Sequence, residues 1–317
     1  MRRLLALLLL FPFAMAAAQA PTPSGPPLWR IERNGHVLWL LGTVSPVGQD
    51  MAVSSPRIAQ AIAASSELVL PPEVVFAAEA GMFSSGLLLP QMLDARRNPG
   101  GATLEEVVPA DVYRRWQAAK ARHIGRDGGV EKLRPAFAAL ALYEEARREA
   151  GLEADRVSDD VLELAAAARL QTSRTDVPVP IQDPDATLDA LRAARDADLQ
   201  CLRLAVDRID ADLMAMRRRA DAWATGDVAA LQRIGLDDQE RACRESITRP
   251  PLLRERSGRD FEREGRDLWL DAVEDALQGN TSSFAMLPMH DLFGDDGYLA
   301  ALAGRGYVVE APAPASR

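Results

Sequence analysis

Histidine, cysteine and lysine are scarce in this chain, and their scarcity excludes several classes of protein. The 317 residues contain three histidines, two cysteines and two lysines. The two cysteines are too far apart for a C-x-x-C redox or zinc motif. Neither a G-x-G-x-x-G loop nor a Walker loop occurs, so no sequence pattern predicts a dinucleotide or a nucleoside triphosphate as ligand.

Positive charge is also in deficit. Lysine and arginine number 37 against 46 aspartates and glutamates, which gives a formal net charge of −9. Such a chain has no global electrostatic reason to bind nucleic acid or an anionic lipid surface. Hydrophobic residues at 48% and charged residues at 26% are typical of a globular protein. This composition excludes a wholly disordered, collagenous or polytopic membrane protein.

The first twenty residues are typical of a secretion signal. Arg2 and Arg3 form a basic start, an apolar run follows, and Ala18-Gln19-Ala20 fits an A-x-A cleavage site. The alternative is an uncleaved membrane anchor, but the apolar run is short for a span of about 20 residues. We therefore expect a signal peptide over residues 1–20 with cleavage after Ala20, and a periplasmic or secreted protein. Residues 21–27 are a proline-rich linker.

The two cysteines, Cys201 and Cys243, both follow the signal segment. An even number of cysteines in an oxidising compartment favours a disulfide, and the alternative is two separately buried thiols. We expect the disulfide. Helices before and after a turn at Gly226 could bring the two side chains together. Gly226 is 25 residues from Cys201 but only 17 from Cys243, so a bend or loop must take up the difference in helix length.

Strand patterns lie mainly near the chain ends, and helix patterns fill the middle. Expected strands cover residues 28–32, 36–41, 67–70, 177–181, 283–287 and 307–310, with a hairpin at Asn34-Gly35. Expected helices cover residues 57–64, 110–122, 135–150, 158–171, 186–224, 228–246, 260–277 and 297–303, and loops are expected at 42–46 and 288–290. The pattern predicts an α/β (α+β) fold. It consists of one domain over residues 28–310, with a sheet built from strands near both ends, a large helical middle and a loose tail over 311–317.

Short motifs at both ends occur in a defined order. LWRI at residues 28–31 is followed by LLGT at 40–43; HDLFGDDG at 290–297 is followed by RGYVV at 305–309. These residues resemble the TraB/GumN family, which shares its core with the Tiki-type proteases. That family carries an LW-x-I segment, a GTxH loop, a second GxxH loop, H-L-x-G-x-x-G and GY-x-V. The resemblance covers essentially the whole chain after the signal segment, and it implies a metal-dependent, protease-like hydrolase.

The sequence departs from the family at most positions that would carry this chemistry. The resemblance implies a candidate pocket of Gly42, Thr43, Ser45, Glu73, Gln182, Arg266 and His290. The first histidine of the family, its two acidic positions and the glycine of the second GxxH correspond to Ser45, Pro71, Gln182 and Leu287. His290 alone is kept from the two family histidines.

These replacements decide the expected function. A divalent metal that activates water needs roughly three ligands from histidine, aspartate or glutamate, together with an open position. Ser45, Pro71 and Gln182 cannot rebuild that set, and a lone histidine such as His290 is more often a hydrogen-bonded structural residue than a metal ligand. We expect an exported, catalytically degenerate protein that has no cofactor and binds an unidentified protein or small molecule.

The alternative hypothesis is a metal-dependent hydrolase or peptidase with a rearranged site around His290. That site would use Glu73, Asp291 or Asp295. It requires that two or more carboxylates lie within ligand distance of His290.

Overall fold

The structure, a computed structural model, describes residues 25–52, 55–78, 93–181, 194–237, 239–248 and 258–312. The expected signal peptide, Gln182 and the first residues of the expected 186–224 helix lie outside these ranges. The described chain contains both helices and strands in a mixed arrangement, which confirms the α/β class.

The main sheet has six strands in the order β10-β1-β2-β9-β4-β7. They are β1 (Leu28–Arg33), β2 (His36–Thr43), β4 (Glu67–Val69), β7 (Gln171–Ser173), β9 (Ser282–Pro288) and β10 (Val308–Glu310). β10, β1 and β2 pair antiparallel, whereas β2, β9, β4 and β7 pair parallel. The strands near both chain ends therefore share one sheet, as predicted.

Two short ribbons accompany the sheet. β3 (Val47–Gly48) pairs antiparallel with β6 (Leu152–Glu153), and β5 (Val74–Ala78) pairs parallel with β8 (Val177–Ile181). The extended character of β8 was predicted, but β5, β3, β6 and β7 were not. These four strands are short, and pairing with distant segments rather than local sequence pattern fixes them.

The expected helices occur in the expected order with revised ends, and a short helix at Leu104–Val107 was not predicted. The helices are α1 (Pro56–Ala63), α2 (Leu104–Val107), α3 (Ala110–His123), α4 (Pro135–Glu149), α5 (Arg156–Ala167), α6 (Arg195–Ala224), α7 (Val228–Ile234), α8 (Gln239–Thr248), α9 (Phe261–Gly279), α10 (Met289–Leu292) and α11 (Tyr298–Gly304).

Two helix predictions and one loop prediction were wrong. Residues 228–246 were expected as one helix, but Gly235 has φ +87° and separates α7 from α8. Residues 288–290 were expected as a loop, but Pro288 ends β9 and His290 lies on the single turn of α10. The helix expected from residue 158 begins two residues earlier, at Arg156.

Buried apolar side chains form two main clusters, one around the sheet and one among the middle helices. The long helix α6 belongs to both: Leu202 and Ile209 lie in the helical cluster, whereas Ala220 and Trp223 lie in the sheet cluster. At about 1.5 Å per residue its length is about 45 Å. α6 therefore connects the helical middle to the sheet.

Cys201 on α6 and Cys243 on α8 lie at disulfide distance, with Cα atoms 5.5 Å apart. This confirms the expected pairing. The break at Gly235 supplies the bend that the unequal distances from Gly226 to the two cysteines require. It separates α7 from α8, so α8 can run back beside α6.

No helix in the described ranges is both long enough and apolar enough to cross a membrane. The expectation that the chain has no membrane segment beyond the signal agrees with this finding.

Candidate functional site

Three parallel strands end at the same edge of the sheet. β2 and β9 are neighbours with Thr43 opposite Pro288, and β4 pairs with the other side of β9. The segments that carry Ser45, Glu73 and His290 leave the sheet at these strand ends. Crevices outside the carboxyl ends of parallel strands are common binding sites in α/β proteins.

A cleft of about 750 Å³ lies at this edge, and we call it the His290 cleft. Its walls come from residues 72–74 after β4, from Arg241 and Glu245 on α8, from the first turns of α9, and from the segment between Pro288 and Tyr298. The volume is in the range of pockets that bind small molecules.

The cleft brings together three of the predicted site residues: Glu73, Arg266 and His290. Ser45 does not line it; its hydroxyl donates a hydrogen bond to the carbonyl oxygen of Ala154 at 2.5 Å. Gln182 lies outside the described residues. The loop that carries Ser45 therefore follows β2 beside the strand end of β9 that leads into the cleft. The Ser45 side chain itself bonds to Ala154, outside the cleft.

Gly42 and Thr43 are the last residues of β2 and also do not line the cleft. Gly42 is a packing position: a Cβ there would lie 2.7 Å from the Trp29 ring and 3.0 Å from Leu292, and it would also contact the sulfur of Met289. The indole N–H of Trp223 donates to the Gly42 carbonyl at 2.6 Å. Gly42 thus lets α6 and α10 approach the strand end.

His290 is largely shielded from water, with 30% of its side chain exposed. Burial is the main cause that lowers its pKa to about 4, and the positive charge of Arg241 also lowers it. The negative charge of Asp237 opposes both effects by raising the pKa. The imidazole is therefore neutral at pH 7. Its Nε2 lies 3.3 Å from a carboxylate oxygen of Asp291.

We expect Arg241→Gln to raise the pKa of His290 from about 4 toward the ordinary 6.5, because a nearby positive charge is removed. NMR titration of the histidine ring would measure this pKa, with His290→Gln to assign the resonance and Arg115→Gln as a control on α3.

The same lowered pKa predicts a pH dependence of stability. Since His290 in the unfolded chain binds a proton more readily than in the folded chain, the free energy of unfolding should fall as the pH drops from 6.5 toward 4. A pKa near 6.5 for His290 in the wild-type protein would contradict the buried environment described for it.

Arg266 is held by backbone oxygens at the rim of the cleft. Its guanidinium donates to the carbonyl of Asp296 and, at 3.4 Å, to that of Gly297, and it lies 5.7 Å from the centre of the Tyr298 ring. Tyr298 packs edge-to-face on Trp269, and burial raises the pKa of its phenol. Arg266 therefore fixes the turn before α11 and the position of Tyr298.

The donor set does not fit a catalytic metal. Among the described residues, Asp291 supplies the only carboxylate within 4 Å of a His290 nitrogen. No group of three histidine, cysteine, aspartate or glutamate side chains in those ranges could hold an ion. Glu73 is 64% exposed and lies 3.8 Å from Arg174 instead. The convergence of carboxylates on which the alternative hydrolase depends is not found in the described chain.

Sequence reasoning missed the contribution of α8 to this site. Arg241 and Glu245 form an ion pair at 3.0 Å and line the cleft, although they lie far from His290 along the chain. No motif marks them. The disulfide at Cys243, on the same helix, was the one sequence signal that could have placed α8 against the rest of the protein.

A comparison with known families identifies the family of the chain. A family model described as TraB/PrgY/gumN family matches residues 27–311. The match covers nearly the whole chain, so the chain belongs to this family, and the resemblance seen in the motifs is confirmed. No curated protein and no solved structure matches the chain.

Proposed function

We propose that this protein is an exported member of the family that binds a partner or ligand in the His290 cleft without metal-dependent hydrolysis. The observation that carries the proposal is the surroundings of His290, where Asp291 is the one carboxylate within 4 Å among the described residues. One imidazole and one carboxylate are too few ligands for a divalent ion that must also keep an open position.

The position of Ser45 supports the same conclusion. Ser45 replaces the first histidine of the family, and its hydroxyl donates a hydrogen bond to the Ala154 carbonyl. Pro71 offers no ligand atom at the first acidic position, and serine is a weak ligand even when free. The cleft offers a neutral His290 and several charged side chains. Such a site is suited to binding.

Ser45→His tests the missing-ligand argument. We expect it to raise the affinity for zinc measurably in isothermal titration calorimetry, because β2 and β9 end side by side and a second imidazole would approach His290. Hydrolytic activity should not appear, since the acidic ligands are still absent. Gln49→His adds the same group on an exposed position and should not change the affinity. Equal affinities for both variants would contradict the argument.

Export is supported by the basic start, the apolar run and the A-x-A pattern of residues 1–20. We expect the protein isolated from the exported fraction of a Gram-negative host to begin after Ala20. Amino-terminal sequencing measures this directly. Exported protein that still begins at Met1 would contradict the assignment.

A further inference from the structure

The short helix α8 forms one wall of the His290 cleft. It is ten residues long and packs against α4 and α6. Arg241 and Glu245, one turn apart on α8, line the cleft. A helix of this length is marginal in water by itself, so contacts with neighbouring helices must hold it in place. The position of α8 therefore decides where this wall of the cleft lies.

Two attachments hold α8, and they lie on the same side of the helix. Cys243 is bridged to Cys201 on α6. Glu240, one turn earlier, faces Arg147 on α4: Nε of Arg147 lies 2.9 Å from Oε2 of Glu240, and Nη2 donates to Oε1 at 3.2 Å. Because α6 and α4 are different helices, the bridge fixes one point of α8 and the ion pair fixes its rotation.

The rotation of α8 determines the direction of the cleft residues. Glu240 and Arg241 are consecutive, so their side chains leave the helix about 100° apart. Glu245 lies on the same side as Arg241 and pairs with it at 3.0 Å. A rotation of α8 that broke the contact between Glu240 and Arg147 would swing both cleft residues away from His290.

The ion pair between Arg147 and Glu240 is nearly removed from water, with 10% and 8% of the two side chains exposed. Arg244 on α8 also donates to Glu240 at 2.6 Å. Burying an ion pair costs desolvation energy, and an apolar pair of similar size is often at least as stable. Apolar side chains pack without a preferred direction, however, whereas a guanidinium and a carboxylate meet in a defined geometry. This pair is therefore better suited to orienting α8 than to stabilising the fold.

We propose that Arg147 and Glu240 are positioning residues of the His290 cleft, and that their buried ion pair orients α8 so that Arg241 and Glu245 form the wall beside His290. Neither side chain of the pair lines the cleft, so both act through α8. This inference rests on the proposed binding function, since it names residues that shape that site, but its test needs no ligand.

The test replaces the pair by apolar side chains of similar size, in Arg147→Met with Glu240→Leu. The midpoint of urea unfolding should stay close to the wild-type value, because an apolar pair can replace a buried ion pair without loss of stability. Diethyl pyrocarbonate acylates neutral imidazoles, and near neutral pH the ring of His290 is uncharged. We expect it to modify His290 about threefold faster in the variant, because a wall that can rotate exposes the ring. Mass spectrometry measures the rate, with His36 at the start of β2 as the internal reference.

Arg134→Met with Asp198→Leu is the matched control. This second ion pair is buried to the same degree, at 6% and 5% exposure, and joins the residue before α4 to α6. Its replacement should leave the acylation rate of His290 unchanged. Arg147→Lys keeps the charge but loses the contact through two nitrogens, so it should raise the rate less than the apolar pair does.

An unchanged His290 rate in the folded apolar variant would refute the positioning role, as would an equal increase in the control variant. Faster acylation of His290 and His36 alike, with a lower urea midpoint, would show a purely structural pair. If the apolar variant does not fold, Arg147→Lys decides, and a wild-type rate there refutes the proposal. Metal-dependent peptide cleavage by the wild-type protein would refute the non-hydrolytic function alone, so the two proposals fail separately.

Discussion

Replacing Cys201 and Cys243 by alanine is expected to lower the free energy of unfolding by about 2–4 kcal/mol, because the bridge closes a long loop of the unfolded chain. The two residues are 42 apart in sequence and both are buried. The bridge fastens the short helix α8 to α6, and α8 supplies Arg241 and Glu245 to the His290 cleft. Its loss should therefore also disturb the cleft wall.

Urea unfolding followed by circular dichroism measures this effect. The wild-type protein should lose the same stability when a reductant is added, whereas the double alanine variant should not respond to the reductant. Equal stability of the wild-type protein with and without reductant would contradict the bridge. A variant less stable than the reduced wild type would instead reveal a packing loss at the two positions.

Gly42→Ala is the second change with a large expected effect. The added methyl group would lie 2.7 Å from the ring of Trp29 and 3.0 Å from Leu292, and it would also meet Met289. Forcing a group into such a packed site costs about 1–3 kcal/mol. Because Met289 and Leu292 belong to α10, which carries His290, the displacement should reach the cleft.

Gly128→Ala is the matched control for this change. Gly128 has φ −84°, and a methyl group there would meet no described atom within 4 Å. We expect its free energy of unfolding to stay within about 0.5 kcal/mol of the wild-type value. Equal stability of the two variants would show that the strand end at Gly42 has room, and would contradict the packing described there.

Sequence patterns predicted the parts of the fold that local chemistry determines. Asn34 and Gly35 both adopt positive φ, at 57° and 83°, as a two-residue hairpin requires. Asp260 caps α9 by accepting from the backbone N–H of Arg263. Such features depend on a few neighbouring residues, so they can be read from the chain alone.

Features set by distant contacts could not be read in this way. β5 follows Pro71-Pro72 and forms only because β8 pairs with it, from a segment about a hundred residues later. Gly235 interrupts a helical pattern that otherwise favours one helix. The cleft combines α8, α9 and the segment around His290. Of its walls, sequence reasoning predicted Glu73, Arg266 and His290, and Asp291 under the alternative hypothesis, but nothing on α8.

The metal content of the purified exported protein tests the central claim most directly. The protein is dialysed against zinc, manganese or cobalt and then against buffer, and bound metal is measured by mass spectrometry beside His290→Ala. Our account predicts far less than one metal per chain in both proteins, and no metal-dependent peptidase activity. One tightly bound metal per wild-type chain, lost in His290→Ala, would contradict it.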